Sequence, residues 1–225
     1  MSHPTPPDHW LYRIIRFDRL VQMLQTDEWH FAHPSSWEDP YETLIRNSLS
    51  NAMFAQCWCR KGVSDAMWRI YSPDKLGVRI RTTKQRLELA LLQEASARRL
   101  GARVSTVKYL SELEYIVRTQ TIDLNLKKGF TFVRASAHLF LKRMAFEHEF
   151  ETRVVVFDPS QAVDAKERAI KVKLNSRKLI DSVLIDPRAP EPFVDAYRNF
   201  LCDHLKFSGP VKKSQLYRSG EPREA

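Results

Sequence analysis

The run His148-Glu149-Phe150-Glu151-Thr152-Arg153-Val154 combines charge with alternating hydrophobicity in a way that could carry chemistry. On a strand, alternate residues share a face. Phe150, Thr152, Val154 and Val156 are expected to face a core. Glu149, Glu151 and Arg153 then line the opposite, exposed face. Two carboxylates and a guanidinium in one row set each other's ionisation. Such a row can hydrogen-bond a sugar diol or stabilise positive charge developing on a substrate. The same pattern reads equally as an amphipathic edge strand carrying an ion pair. On an exposed face, replacing Glu151 by Gln is expected to leave stability unchanged.

Other constellations offer different chemistry. Tyr12-Arg13 puts a guanidinium beside apolar residues on the first strand. There it could bind a phosphate, lie at the surface, or pair with one of the glutamates. Trp68 and Tyr71 stand three apart on one helix face, as a stacking platform for a base or nicotinamide ring or as plain core. Cys57-x-Cys59 with His30 and His33 could form a zinc set, but the spacing is wrong for a zinc knuckle and inert thiols fit better. No metal is expected at these residues. Glu38, Asp39 and Glu42 with the Glu149/Glu151 pair supply the carboxylate oxygens that Mg²⁺ favours, which keeps a metal-dependent nuclease open.

The six glycines, at 62, 77, 101, 129, 209 and 220, never cluster. That excludes the Gly-rich dinucleotide fingerprint and the P-loop, both of which need glycines close together so that backbone amides can approach phosphates. The net charge is +9, and all of this excess lies in residues 76–145, with 14 Lys/Arg against 5 Asp/Glu. A basic segment can gather nucleic acid or another anionic partner, or it can be a solvated helix surface. It lacks the aromatic interleaving of a single-strand binder. Three cysteines, no basic-then-apolar leader and no long apolar run point to a cytoplasmic chain with reduced thiols and no membrane span.

These side chains need a scaffold, and 225 residues suffice for one domain, with 1–8 and 218–225 as frayed tails. Strands are expected at 9–15, 29–32, 54–59, 76–82, 103–109, 150–157, 169–174, 180–185 and 211–217. Helices are expected at 18–27, 41–49, 64–71, 82–100, 111–126, 134–147 and 191–205. Thr82-x-x-Gln85 reads as a capping box and Gly101 as the end of that helix. The result is an α+β domain with a single mixed or antiparallel sheet and flanking helices.

In order, these pieces resemble a large bacterial and phage family known only as a domain of unknown function. The resemblance spans nearly the whole chain. It is carried by Leu11-Tyr12-Arg13, by Trp29 and Phe31, and by the loop Pro34-Ser35-Ser36-Trp37-Glu38-Asp39-Pro40-Tyr41-Glu42. Met67-Trp68, Tyr71 and Gly77-Val78 follow, then Lys142, Phe146, Glu149, Glu151 and Arg153, and finally Ile185-Asp186-Pro187-Arg188-Ala189-Pro190. Glu38 stands where the family has Asn, and the segment between Met67 and Gly77 is shorter than the family's.

A weaker resemblance is to ADP-ribosyltransferases, which bind NAD without a Gly-rich loop. It implies a split sheet, with NAD as substrate and no metal. Glu151 would be the catalytic carboxylate facing an oxocarbenium-like transition state, and Glu149 would orient the acceptor. Arg13 and Arg153 would bind phosphate or position carboxylates, with Tyr12, Trp68 and Tyr71 around the nicotinamide. The implied function is ADP-ribosyl transfer or NAD cleavage by a toxin or anti-phage effector. The alternatives are a nucleic-acid-binding module using residues 76–145 and the nuclease.

Overall fold

The structure is a computed structural model that describes residues 10–45, 50–129, 131–161 and 168–218. The expected N-terminal tail, all but residue 218 of the C-terminal one, the first residue of the first strand and the end of the helix expected at 41–49 lie outside the described residues.

The described strands are β1 (Trp10–Arg16), β2 (Glu28–Ala32), β3 (Met53–Cys59), β4 (Gly77–Thr83), β5 (Gly101–Thr106), β6 (Lys108–Leu110), β7 (Leu141–Arg143), β8 (Glu151–Phe157), β9 (Ala169–Lys173), β10 (Ser182–Ile185) and β11 (Val211–Lys213). The longer helices are α1 (Phe17–Thr26), α2 (Asp65–Tyr71), α3 (Lys84–Arg98) and α4 (Glu112–Lys128), with another at Glu191–Asn199. The fold class is α+β, with both parallel and antiparallel strand pairs. The chain forms two compact units, and each is assembled from interleaved segments. No described helix is long and apolar enough to cross a membrane.

The first unit comprises Met1–Asp27, Lys61–Thr83 and Asn175–Ala225. Its strands run in the order β11-β10-β4-β1, antiparallel except for the parallel β10–β11 pair. Leu11, Val78, Ile80, Val183 and Ile185 are buried at alternate strand positions, with Leu20, Met23 and Leu24 of α1. Ser64 caps α2 as its sequence predicts, accepting from the Met67 N–H. The other end of α2 is held by Arg188, which donates to the carbonyls of Trp68 and Ser72 at 2.9 and 2.7 Å while pairing with the fully buried Asp186. The Trp68 carbonyl also takes the Ser72 N–H at 3.0 Å, so Arg188 adds a second donor where the helix ends.

The second unit comprises Glu28–Arg60 and Lys84–Leu174. Its antiparallel strands run β5-β8-β3-β2-β9, and β6 and β7 form a separate parallel ladder. Leu87, Leu91 and Ala95 make the buried stripe of α3, as their spacing requires.

Four local expectations change. Thr82 caps nothing: it lies in β4, fully buried, and α3 begins two residues later. Gly101 opens β5 instead of closing α3. Residues 103–109 are interrupted at Val107, which divides them between β5 and β6. Residues 40–43 form a single 3₁₀ turn, capped by Asp39 accepting from the Tyr41 N–H.

The largest change is at 134–147. In place of a helix there is a helical turn at Phe132–Ala135, a 3₁₀ turn at Ala137–Phe140, strand β7 and a 3₁₀ turn at Met144–Glu149. Leu139, Phe140 and Leu141 are all buried. Three successive residues are spread around a helix and cannot share its inward face, so an irregular path buries them better.

That path decides the fate of β8. The strand is central, with β3 on one side and β5 on the other. Its Thr152–Val154–Val156 face is buried as expected. The face with Glu151, Arg153 and Val155 is buried too, because Ala135, Leu139 and Phe140 pack onto Val155, Met53 and Ala55. The exposed edge strand of the sequence reading is therefore overturned. Phe150 is also not part of β8. It sits in the left-handed region at φ 45°, is 37% exposed, and turns the chain between Glu149 and Glu151.

Candidate active site

Glu149, Glu151 and Arg153 do converge, although only the last two lie on the strand. The turn at Phe150 brings Glu149 back beside them. The group lies within the second unit, and Arg153 is its centre at 1% exposure. Arg153 Nε donates to Glu151 Oε1 at 2.7 Å and Nη2 to Oε2 at 3.0 Å, a two-point fork on one carboxylate. Nη2 also donates to Glu42, and Nη1 to the Leu139 carbonyl at 2.7 Å. Trp37 covers the guanidinium, with 4.3 Å between its ring and Cζ.

Lys142 closes the other side. Its Nζ lies 2.6 Å from Glu149 Oε2 and 3.4 Å from Glu151 Oε2, and 4.8 Å from the Phe146 ring. Three carboxylates thus face two cations in a chain, Glu42–Arg153–Glu151–Lys142–Glu149. A second pair flanks it: Arg143 donates to Asp39 at 2.9 and 3.3 Å and lies over the Tyr41 ring. Cys57, opposite Arg153 in the β3–β8 register, donates to Glu151.

This arrangement separates two carboxyls that share one arginine. Burial works to raise the pKa of Glu151, but the charge and hydrogen bonds of Arg153, with Lys142 and Cys57, overcome it and hold the group below its ordinary value. For Glu42, burial wins over Arg153 and Lys142, and its pKa is raised. Lys142 stays protonated because Glu151, Glu42 and Glu149 overcome its burial. Environments that push neighbouring titratable groups apart are a mark of acid–base and electrostatic sites.

His138, under the same cluster, is lowered to about 4 by burial, with Arg153 adding to it. A histidine depressed in the folded state stabilises the fold above its ordinary value of 6.5, and that contribution is lost as pH falls toward about 4. The difference corresponds to about 3 kcal/mol. Glu42 opposes this, because its raised value adds stability as pH falls toward 4.5. Glu151 is lost only at lower pH. Urea midpoints should therefore fall between pH 7 and 4.5, and His138→Gln should flatten that fall. An unchanged slope in the variant would refute the assignment.

The remaining sequence-predicted residues belong to the first unit. Tyr12 and Arg13 are neighbours on β1 and so point to opposite faces. The Tyr12 ring lies 4.7 Å from the Arg79 guanidinium, and Trp10 similarly lies 4.2 Å from Arg81. Trp68 is 1% exposed and serves the core, whereas Tyr71 is 44% exposed, so the two are not one stacking platform.

Among the described residues, no group of three His, Cys, Asp or Glu side chains could hold a metal ion. Asp39 and Glu42 are held by Arg143 and Arg153, and His33 bonds to Ser35 and to the Ser50 carbonyl. The ADP-ribosyltransferase resemblance assigned no role to Glu42, which entered only the nuclease alternative, to Lys142, or to Tyr109, whose hydroxyl accepts the Glu151 backbone N–H. Glu42 and Lys142 carried a signal, in the Asp-Pro-x-Glu loop and the Lys upstream of Glu-x-Glu. Tyr109 carried none.

No protein-family model matches the chain, and no curated protein matches it in sequence. Among solved structures it is similar to the DarT of Thermus sp. 2.9 in three complexes. With carba-NAD+ the identity is 12% and the TM-score 0.43, covering 94% of this chain and 98% of that one. With NAD+ the values are 13% and 0.41, covering 93% and 97%. With ADP-ribosylated ssDNA they are 12% and 0.44, covering 96% and 98%. Likeness of this degree leaves the site to be read from its own residues.

Proposed function

We propose that this chain cleaves NAD by ADP-ribosyl transfer, with Glu151 as the catalytic carboxylate and Glu149 as the acceptor-orienting one. The observation that supports this most is a carboxylate kept ionised at 2% exposure by a two-point guanidinium fork. In such a reaction the bond between ribose C1′ and the nicotinamide nitrogen breaks. Its electron pair leaves with nicotinamide, and positive charge develops on the ribose. A fixed negative charge in a water-poor setting stabilises that charge without reorganising. A water or acceptor hydroxyl then adds at C1′, and Glu149 takes its proton. Access to Glu151 is through movement of Lys142 and Glu149, which are less buried at 7% and 9%.

The test is nicotinamide release from NAD by the purified chain, with and without cell extract. Release above background is expected, and its absence in both, with no NAD binding by calorimetry, ends the proposal.

Nucleic acid is a second reading, as a partner. It is favoured by exposed Arg86 and Arg98 on α3, Arg99 just beyond it, Arg118 and Lys128 on α4, and Arg134. Part of the basic excess is spent internally, in Lys142 and Arg143 and in the Lys127–Asp123 pair. Binding of a labelled single-stranded oligonucleotide should weaken with salt, the logarithm of affinity falling by about 0.7 per neutralised phosphate for each tenfold rise in salt. No binding at low salt, or a flat titration, excludes this partner.

A further inference from the structure

We infer that Tyr109, delivered by the short β6–β7 ladder, is a positioning residue for Glu151. This rests on the reading of Glu151 as the catalytic carboxylate. Residues Lys108–Leu110 and Leu141–Arg143 pair in parallel, and Tyr109 is directly opposite Lys142. Parallel neighbours need a crossover, and α4 lies between them in sequence, held by a Ser111–Glu114 capping box. Leu110 and Leu141 pack with Tyr115 and Ile122 of α4 in one apolar cluster. The ladder therefore has its own core beneath it.

The two facing residues reach the same glutamate at different points. Lys142 Nζ is 3.4 Å from the Glu151 carboxylate, and the Tyr109 hydroxyl accepts the Glu151 backbone N–H at 2.8 Å. That N–H needs a substitute partner because β5 ends there. The β5–β8 register closes at Thr106↔Thr152, and the Glu151 carbonyl takes the Val107 N–H at 3.0 Å. Glu151 also follows the left-handed Phe150, so its backbone is at the end of a turn, where strands fray. The phenol continues the ladder by one bond and fixes Cα of Glu151 before Arg153 and Lys142 fix its carboxylate. Burial raises the pKa of Tyr109, so it stays a neutral acceptor at all working pH. By accepting the N–H it keeps its own proton for a further oxygen.

The test is Tyr109→Phe in the full chain, which keeps the ring and removes the oxygen. Amide hydrogen exchange, read by NMR, should become about fivefold to tenfold faster at Glu151, the size of one lost hydrogen bond, and stay unchanged at Val154 and Val156. NAD turnover should lose about tenfold or more in kcat with KM within about twofold, since a positioning group acts in the transition state. Lys142→Gln should lower kcat without changing exchange at the Glu151 amide. Unchanged exchange in Tyr109→Phe overturns the inference whatever the activity. Faster exchange with full kcat overturns the positioning role and leaves a structural bond. If the wild type releases no nicotinamide at all, the functional reading fails, and the exchange result alone decides whether Tyr109 holds Glu151.

Discussion

Glu151→Gln should reduce NAD turnover by about 10²–10³ per folded molecule, the usual cost of losing one preorganised electrostatic contact. It should also destabilise the chain, contrary to the expectation for an exposed strand. Glu151 is 2% exposed and takes two donors from Arg153. The amide offers one oxygen where the fork finds two, and the guanidinium loses a countercharge. Breaking a buried pair costs about 3 kcal/mol or more, roughly 6–12 °C in Tm for a chain of this size. Activity and stability are separable by assaying at 20 °C after near-ultraviolet dichroism shows native packing. Glu151→Asp, which keeps the charge and shortens the reach, should be folded and slow. Full turnover in a folded Glu151→Gln would remove this residue from the chemistry. Glu149→Gln should be milder on NAD hydrolysis than on transfer to a target, because the proposed role of Glu149 lies with the acceptor.

Arg153→Met should have the largest effect on stability. It leaves Glu151 and Glu42 without their shared cation and frees the Leu139 carbonyl that holds the covering segment onto β8. A loss of about 3–5 kcal/mol is expected from urea denaturation. Arg153→Lys should recover little, because three donors on one nitrogen cannot reproduce the two-point fork on Glu151 together with the bonds to Glu42 and the Leu139 carbonyl. Adding Glu42→Gln to Arg153→Met should restore about 1 kcal/mol or more, since it removes one of the stranded charges. If Arg153→Met unfolds at the wild-type midpoint, the cluster contributes nothing to the fold. If Glu42→Gln adds a further loss, Glu42 has partners more important than Arg153.

Much of the scaffold follows from local rules. The alternation at Val78 and Ile80, the Ser64 cap and the Leu87–Leu91–Ala95 stripe each have one favourable solution, since side-chain period and capping chemistry act within a few residues. The same is true of the Glu149/Glu151/Arg153 constellation as a set of types. Its environment was not legible. Whether a strand face meets water depends on what packs over it, and here the covering segment at residues 132–149 has no periodicity to announce itself. Its run of Leu139, Phe140 and Leu141 is buried by an irregular path, and this path turns an apparent solvent face into the interior. Glu42 is 111 residues from its arginine, and Tyr109 is 42 from the amide it holds. No spacing rule relates such positions, because only the completed chain brings them together. The types and order of the charged residues are thus a property of the sequence. Their burial, their pairing and the opposite titration of Glu42 and Glu151 are properties of the tertiary structure, where desolvation and a single shared guanidinium shift the two carboxyls in opposite directions.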